Sequence, residues 1–260
     1  MKAIALIVLL TLALFPLFAD EEESEGDKKI KDTIRKIEEA ERERDSGRCK
    51  DDEDDADDGC FDACFDFLDF FLAFLEYASL VRFAPYPYAD AVDFDFSTLD
   101  YDDLEDYKIA YLQVGTDLST HFDDTYGNTN RLTAQLSALQ LNIFNQTIFS
   151  SNESLSFLSV NGGLSLLIRS VDLSGFAGAY FVITTGDAVF STGLSCRIFF
   201  PGRIYLDVYG LYAFLGEGIL HVITSLNLAI WRFSIGLGYN YNQIVGDVYS
   251  GPCLKVNFWL

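Results

Sequence analysis

Side chains able to do chemistry fall into two groups. The first is Cys49, Cys60 and Cys64 around the run Asp-Asp-Glu-Asp-Asp-Ala-Asp-Asp-Gly at 51–59. Carboxylates beside a glycine are what a hard cation such as calcium requires. With Gly59 at the sharp turn of a calcium loop, Asp54 takes the first ligand position and Asp58 the fifth. Ala56 then falls third, and Phe65 falls twelfth, where a bidentate Glu belongs. Two ligand positions fail, so no metal site is expected there. Cys60 and Cys64, four apart on one helix face, meet poorly for a bridge. The candidate disulfide therefore joins Cys49 to Cys60 or to Cys64, with free thiols as the alternative. Zinc lacks a histidine in the cluster and a fourth ligand.

The second group lies on the polar edges of alternating segments: Arg169, Arg197, Arg203, Asp207, His221, Arg232 and Lys255. Facing a common interior, such an excess of cations would either favour anions in a pore or be neutralised by Asp207, tyrosines, backbone and water. A barrel of eight or ten strands has little room beyond its own side chains, which favours neutralisation. The two histidines are His121 and His221. A Ser–His–Asp arrangement of His221 and Asp207 with a serine has no G-x-S-x-G elbow to support it. No phosphate-binding glycine loop, HExxH or CxxC occurs. Neither an enzyme nor a cofactor is expected.

The elements that must position these residues are strands. From Arg203 to Leu260 the side chains alternate with a period of two. Ile204, Leu206 and Val208 alternate with Arg203, Tyr205 and Asp207, and Leu254, Val256, Phe258 and Leu260 with Lys255, Asn257 and Trp259. Ten strands are predicted, at 107–118, 131–144, 153–161, 163–171, 175–185, 188–200, 203–214, 218–230, 231–243 and 249–260, with counts of 8 or 12 as alternatives. Turns are expected at Asn161-Gly162-Gly163, Gly186-Asp187, Pro201-Gly202 and Gly216-Glu217-Gly218. Residues 119–130 make the one long connection. Apolar outside and polar inside is the pattern of a barrel in lipid. The expected fold is all-β: a transmembrane, antiparallel, up-and-down β-barrel over 107–260 with an N-terminal α-helical extension.

Ahead of the barrel, residues 1–19 read as a secretory signal peptide, with Lys2, an apolar run from Ala3 to Leu14 and small Ala19 before Asp20. The net charge of −22 is concentrated here: residues 1–106 carry 31 Asp and Glu against 11 Lys and Arg. That field repels phosphate, so no nucleic-acid partner is expected. Residues 20–59 form a charged, acidic, partly helical linker. Ile30, Ile34 and Ile37 give Lys28 to Arg44 a narrow apolar stripe, but three isoleucines hold so polar a helix weakly, and a solvated linker is the simpler reading. Residues 60–83 set one acidic face against phenylalanines and leucines as an amphipathic helix, suited to packing on the barrel or on a protein partner. Residues 84–106 are a Pro-containing acidic linker.

The final strand, with Leu254, Val256, Phe258 and Leu260 on one edge, resembles the terminal assembly signal of small outer-membrane β-barrel proteins of diderm bacteria. The resemblance covers 107–260 and departs at the last position, where Leu260 stands and the aromatics are Phe258 and Trp259. It implies the cell outer membrane, outer-membrane lipid and the barrel-assembly machinery as partners, and a periplasmic extension. The favoured role is structural or interactive, with residues 20–106 binding a protein partner. The alternatives are a narrow pore for small solutes and a soluble periplasmic lipid-binding barrel with its apolar faces turned inward.

Overall fold

A computed structural model describes residues 24–48 and 110–260, apart from 137–138, 169–170, 201–202 and 231. The signal peptide, the three clustered cysteines, the acidic run, the 60–83 helix, the 84–106 linker and Arg169 lie outside the described residues.

Ten antiparallel strands close into a single barrel, each paired with its neighbour in sequence and β1 paired with β10. They are β1 (Ala110–Thr120), β2 (Tyr126–Leu136), β3 (Leu139–Phe149), β4 (Ser154–Ile168), β5 (Val171–Val182), β6 (Asp187–Phe200), β7 (Ile204–Ala213), β8 (Ile219–Ile230), β9 (Phe233–Ile244) and β10 (Asp247–Trp259). The seam runs from Gln113 opposite Trp259 to Ser119 opposite Cys253. Leu260 extends it by exchanging backbone hydrogen bonds with Leu112. Leu254, Val256, Phe258 and Leu260 lie on the outer face of this closing strand, while Cys253, Lys255, Asn257 and Trp259 point in.

The expected strand number holds, but two boundaries move in compensation. The stretch 131–144 is not one strand: it belongs to two, β2 and β3. The stretches 153–161 and 163–171 fall instead largely within the single strand β4. Asn161-Gly162-Gly163 is no turn because burial alternates through it without a break. Gly163 sits where a Cβ would lie 2.3 Å from the Gly175 carbonyl oxygen and 2.6 Å from the Phe176 Cβ. The glycine allows close approach of β5 rather than a reversal. The connection after β1 is also short, since β2 starts at Tyr126.

Polarity is inverted relative to a soluble domain. Outward positions hold Leu141, Val160, Leu173, Leu194, Leu226 and Leu237, with Leu194 71% and Leu237 72% exposed. Outward aromatics gather near both rims: Tyr126 stacks on Phe149 and Phe190 packs on Phe214 at one, and Phe233 packs on Phe258 at the other. Inward positions hold Gln, Asn, Ser, Thr and charged side chains together with a cluster of aromatic and aliphatic ones, nearly all buried.

The helix α1 (Glu25–Arg48) lies against one mouth of this barrel. A capping box starts it: the Ser24 hydroxyl accepts from the Asp27 amide at 3.1 Å, and the Asp27 carboxylate accepts from the Ser24 amide at 3.0 Å. Asp32–Lys36 and Glu38–Arg42 pairs support its outer side. Its buried face, Asp27, Ile30, Thr33, Ile37 and Glu41, repeats at three- and four-residue spacing. Over this length the chain is not a solvated linker, because the barrel supplies the apolar surface that three isoleucines lack in isolation.

Candidate functional site

The barrel interior is a filled core with an ionic centre. Register puts Asp172, Arg197 and Asp207 side by side across β5, β6 and β7. Asp117 and Lys255 pair across the β1–β10 seam. The Asp207 carboxylate accepts from Lys255 Nζ at 2.5 Å and from Arg131 at 2.8 Å, and its other oxygen lies 3.7 Å from Arg197 Nε. Arg197 donates to Gln113 at 2.9 Å and stands 3.9 Å from Asp172, which accepts from Ser165 at 2.6 Å. Three carboxylates thus face three cations. Asp207 and Lys255 are each only 1% exposed, so their mutual pairing is what makes burial tolerable.

Of the candidate lumen charges, Arg197, Asp207, His221 and Lys255 are inside. Arg203 and Arg232 are not: both sit in turns at the mouth where the chain ends, and their carbonyls accept from the Ala229 and Trp259 amides respectively. Arg203 has φ +67°, a turn conformation that ends the alternation one residue before β7. Among the described residues the expected excess of positive charge disappears once these two leave and Asp117, Asp172 and Arg131 enter. Those three residues are polar members of inward registers, a signal that the shifted β2 boundary and the emphasis on cations concealed.

His221 is held by a second set of side chains. Its imidazole shares a 2.6 Å hydrogen bond with the Tyr180 hydroxyl, and its other nitrogen a 2.8 Å bond with Asn242. Phe144, Phe157 and Tyr180 surround the ring at 5.3 to 5.7 Å between centroids. Phe144 and Phe176 both stack on Tyr209, and the Arg131 guanidinium covers that ring at 4.9 Å. This aromatic layer lies between the ionic centre and the capped mouth. Among the described residues no three His, Cys, Asp or Glu side chains converge as metal ligands. Cys196 and Cys253 are free thiols.

The capped mouth is the most elaborated surface. α1 meets turn residues of successive hairpins. Lys29 binds Asp123 after β1 and the Val248 carbonyl. Asp27 accepts from Ser150 and from the Asn152 amide after β3. Thr33 bonds Asp247 and the Tyr249 hydroxyl, and Lys36 reaches Asp247 at 2.7 Å. At the far end Glu41 accepts from Thr185 at 2.7 Å, and Arg44 lies 3.6 Å from Asp187. Burial would raise the Asp27 carboxyl, but the hydrogen bonds from Ser150, Asn152 and Ser24 outweigh it and hold it well below the usual range. Asp123 is likewise lowered, with Lys29 overcoming its burial. The Lys36 ammonium is raised by Asp247. Burial raises Glu41.

No family model matches the chain, and no curated protein matches it. Among solved structures it is similar to the crystal structure of Neisserial surface protein A (NspA), with 13% identity over 58% of this chain and 97% of that one, at a TM-score of 0.29.

Proposed function

We propose that this chain is an integral outer-membrane β-barrel with a structural or interaction role, neither a channel nor an enzyme. The observation that carries the reading is the inverted polarity: a closed barrel whose outer wall is aliphatic between two aromatic rims and whose buried polar and charged side chains lie on the inner wall. Closure leaves no strand edge to be satisfied by water, which is what a hydrocarbon environment demands. The filled ionic centre argues against a pore. The soluble lipid carrier required the apolar faces to line a cavity, and they lie outside. The expected lipid and assembly-machinery partners follow from the membrane reading, with the outer face of β10 as the assembly signal.

The mouths differ. Strands β1 and β10 begin and end the barrel at one mouth, and α1 sits at the other. The sequence expectation puts the N-terminal extension in the periplasm, and labelling from each side of the membrane reads which side α1 occupies. The test of the membrane reading is carbonate extraction followed by gel mobility before and after boiling. Retention with a heat-dependent shift supports an integral barrel; release into the supernatant with no shift ends the proposal. Planar-bilayer recording of the purified protein should show no steady conductance.

A further inference from the structure

We infer, on the membrane reading, that the outer wall over β1–β4 is an interaction surface for the lipid headgroup layer. Headgroups reach further down the barrel there than over β5–β8, and the bilayer is thinned beside β2 and β3. One helix sets the level from which depth is counted. Asp27, Lys29, Lys36 and Glu41 bond Asn152, Asp123, Asp247 and Thr185 in four hairpins. At the fifth, a Cβ on Gly216 would lie 2.7 Å from the Ala40 Cβ. All five hairpin tips on this side therefore share a level.

Every second residue of a strand faces out. Taking the three outward residues nearest the α1 mouth on each strand, eight of twelve on β1–β4 are Asn, Ser or Thr. On β5–β8 only two of twelve are, Thr192 and Thr224. The β9–β10 wall is intermediate, with Tyr239, Tyr241 and Ser250 outward. The apolar part of the wall is correspondingly short on β2 and β3. It runs over five residues on each, Leu132 to Leu136 and Leu139 to Ile143, against eleven on β5, Val171 to Phe181. At roughly 3.3 Å per residue and a tilt of about 40°, the heights are about 13 Å and about 28 Å. The apolar band of a membrane barrel is about 25 Å tall.

A wall too short for the hydrocarbon is accommodated by thinning the bilayer or by a protein covering it. The chemistry here favours thinning. The stacked pair Tyr126 and Phe149 marks the aromatic rim above the polar wall, as Phe190 and Phe214 mark it over β6 and β7. Between that rim and Leu132 and Ile143, all four outward side chains of β2 and β3 are Asn or Thr. They offer no aromatic or aliphatic anchor of the kind a protein interface is built on, and no charge. They are also bonded within the wall itself. Thr116 donates to Asn128 at 3.4 Å, Asn145 donates to the Phe157 carbonyl at 3.1 Å, and Thr147 and Ser156 share a 3.1 Å bond. Asn130, directly opposite Asn145, is exposed. An amide held in hydrocarbon is costly, and headgroups with their water remove that cost.

The test compares two directly opposed outward pairs, each third from its hairpin: Asn130 with Asn145, and Ala177 with Thr192. Spin labels are placed singly at Asn130→Cys, Asn145→Cys, Ala177→Cys and Thr192→Cys in the full-length chain with its native cysteines changed to serine. The protein is folded into phosphatidylcholine vesicles, and heat-dependent gel mobility reports the folded barrel. Each label is then exposed to oxygen, which concentrates in hydrocarbon, and to a charged nickel chelate, which hydrocarbon excludes. The ratio of nickel to oxygen collisions should be about tenfold higher at 130 and 145 than at 177 and 192. Hydrocarbon-like ratios at all four overturn the inference and leave the membrane reading standing. Water-like ratios at all four end the membrane reading and the inference with it. Labels at 130 and 145 shielded from both reagents and coupled between chains would put a second copy on this wall, which also overturns it. The unsubstituted chain in the same vesicles gives a measurement that needs no variant to fold. Backbone amides at 128–130 and 145–147 should exchange faster than those at 177–181 and 190–192, and equal rates overturn the inference.

Discussion

Lys255 Nζ lies 2.5 Å from the Asp207 carboxylate inside the barrel, joining β10 to β7, three strands away around the wall. The same oxygen accepts from Arg131, so one carboxylate serves two buried cations, with Arg197 close to its partner oxygen. Asp207→Asn should destabilise the folded barrel by about 3–5 kcal/mol, because it leaves those cations without their shared counter-ion. Asp207→Asn with Lys255→Met should recover part of that loss. The measurement is the denaturant midpoint of the heat-modifiable form. A single variant within about 0.5 kcal/mol of wild type would mean that water, not Asp207, satisfies the cluster.

Gly162 and Gly163 are neighbours with opposite tolerance. A Cβ at Gly162 meets nothing within 4 Å, whereas one at Gly163 strikes the β5 backbone. Gly162→Ala should be neutral or slightly stabilising, since alanine restricts the unfolded chain. Gly163→Ala should cost about 1–3 kcal/mol through overpacking. Both variants are compared by the same denaturant midpoint. Equal effects would restore the sequence reading of a turn at 161–163.

That pair also shows where the sequence was legible. A period of two marks which face of each strand is apolar, and it gave ten strands and the outward placement of Leu254, Val256 and Phe258. It does not mark where an inward glycine is a close approach and where it is a reversal, because both lack a side chain to betray direction. Arg203 and Arg232 continue the alternation on paper but fall past the strand ends, where alternation carries no information about facing. The docking of α1 was invisible for a different reason. Ile30, Ile34 and Ile37 look insufficient alone, and the surface that completes them comes from five hairpins distant in sequence.

His121 gives the capped mouth a pH dependence. It follows β1, outside the strands, with Ser119 and Thr125 bonded to its two nitrogens at 3.1 and 2.9 Å. Burial pushes its imidazole down from 6.5 to about 4. A histidine depressed in the folded state contributes full stability above its unfolded value and loses it as pH falls through that window. The mouth should therefore weaken from about pH 6.5 toward pH 4. Asp27 and Asp123, both lowered, hold their stabilisation until still more acidic pH. Glu41 is raised and acts in the opposite sense, so the comparison with His121→Asn isolates the histidine. Hydrogen exchange over α1 and residues 121–125 should rise between pH 6.5 and 4, after correction for intrinsic rates, in wild type more than in the variant. Identical profiles would remove His121 from the account.

The two mouths predict a labelling pattern. Glu39 is on the solvent side of α1, and Arg232 is in a turn at the mouth where Leu260 ends the chain. In a background with the native cysteines changed to serine, Glu39→Cys and Arg232→Cys should be reached by a membrane-impermeant maleimide from opposite sides. One should label in intact cells and the other only after the membrane is opened, because strands that cross once each put successive hairpins on alternate sides. Asp123 and Asp247 lie in hairpins on the α1 side, and Lys29 and Lys36 bind them there. Labelling of both positions from one side would mean that α1 leaves this mouth in the membrane. It would keep the barrel and return the extension to the periplasm.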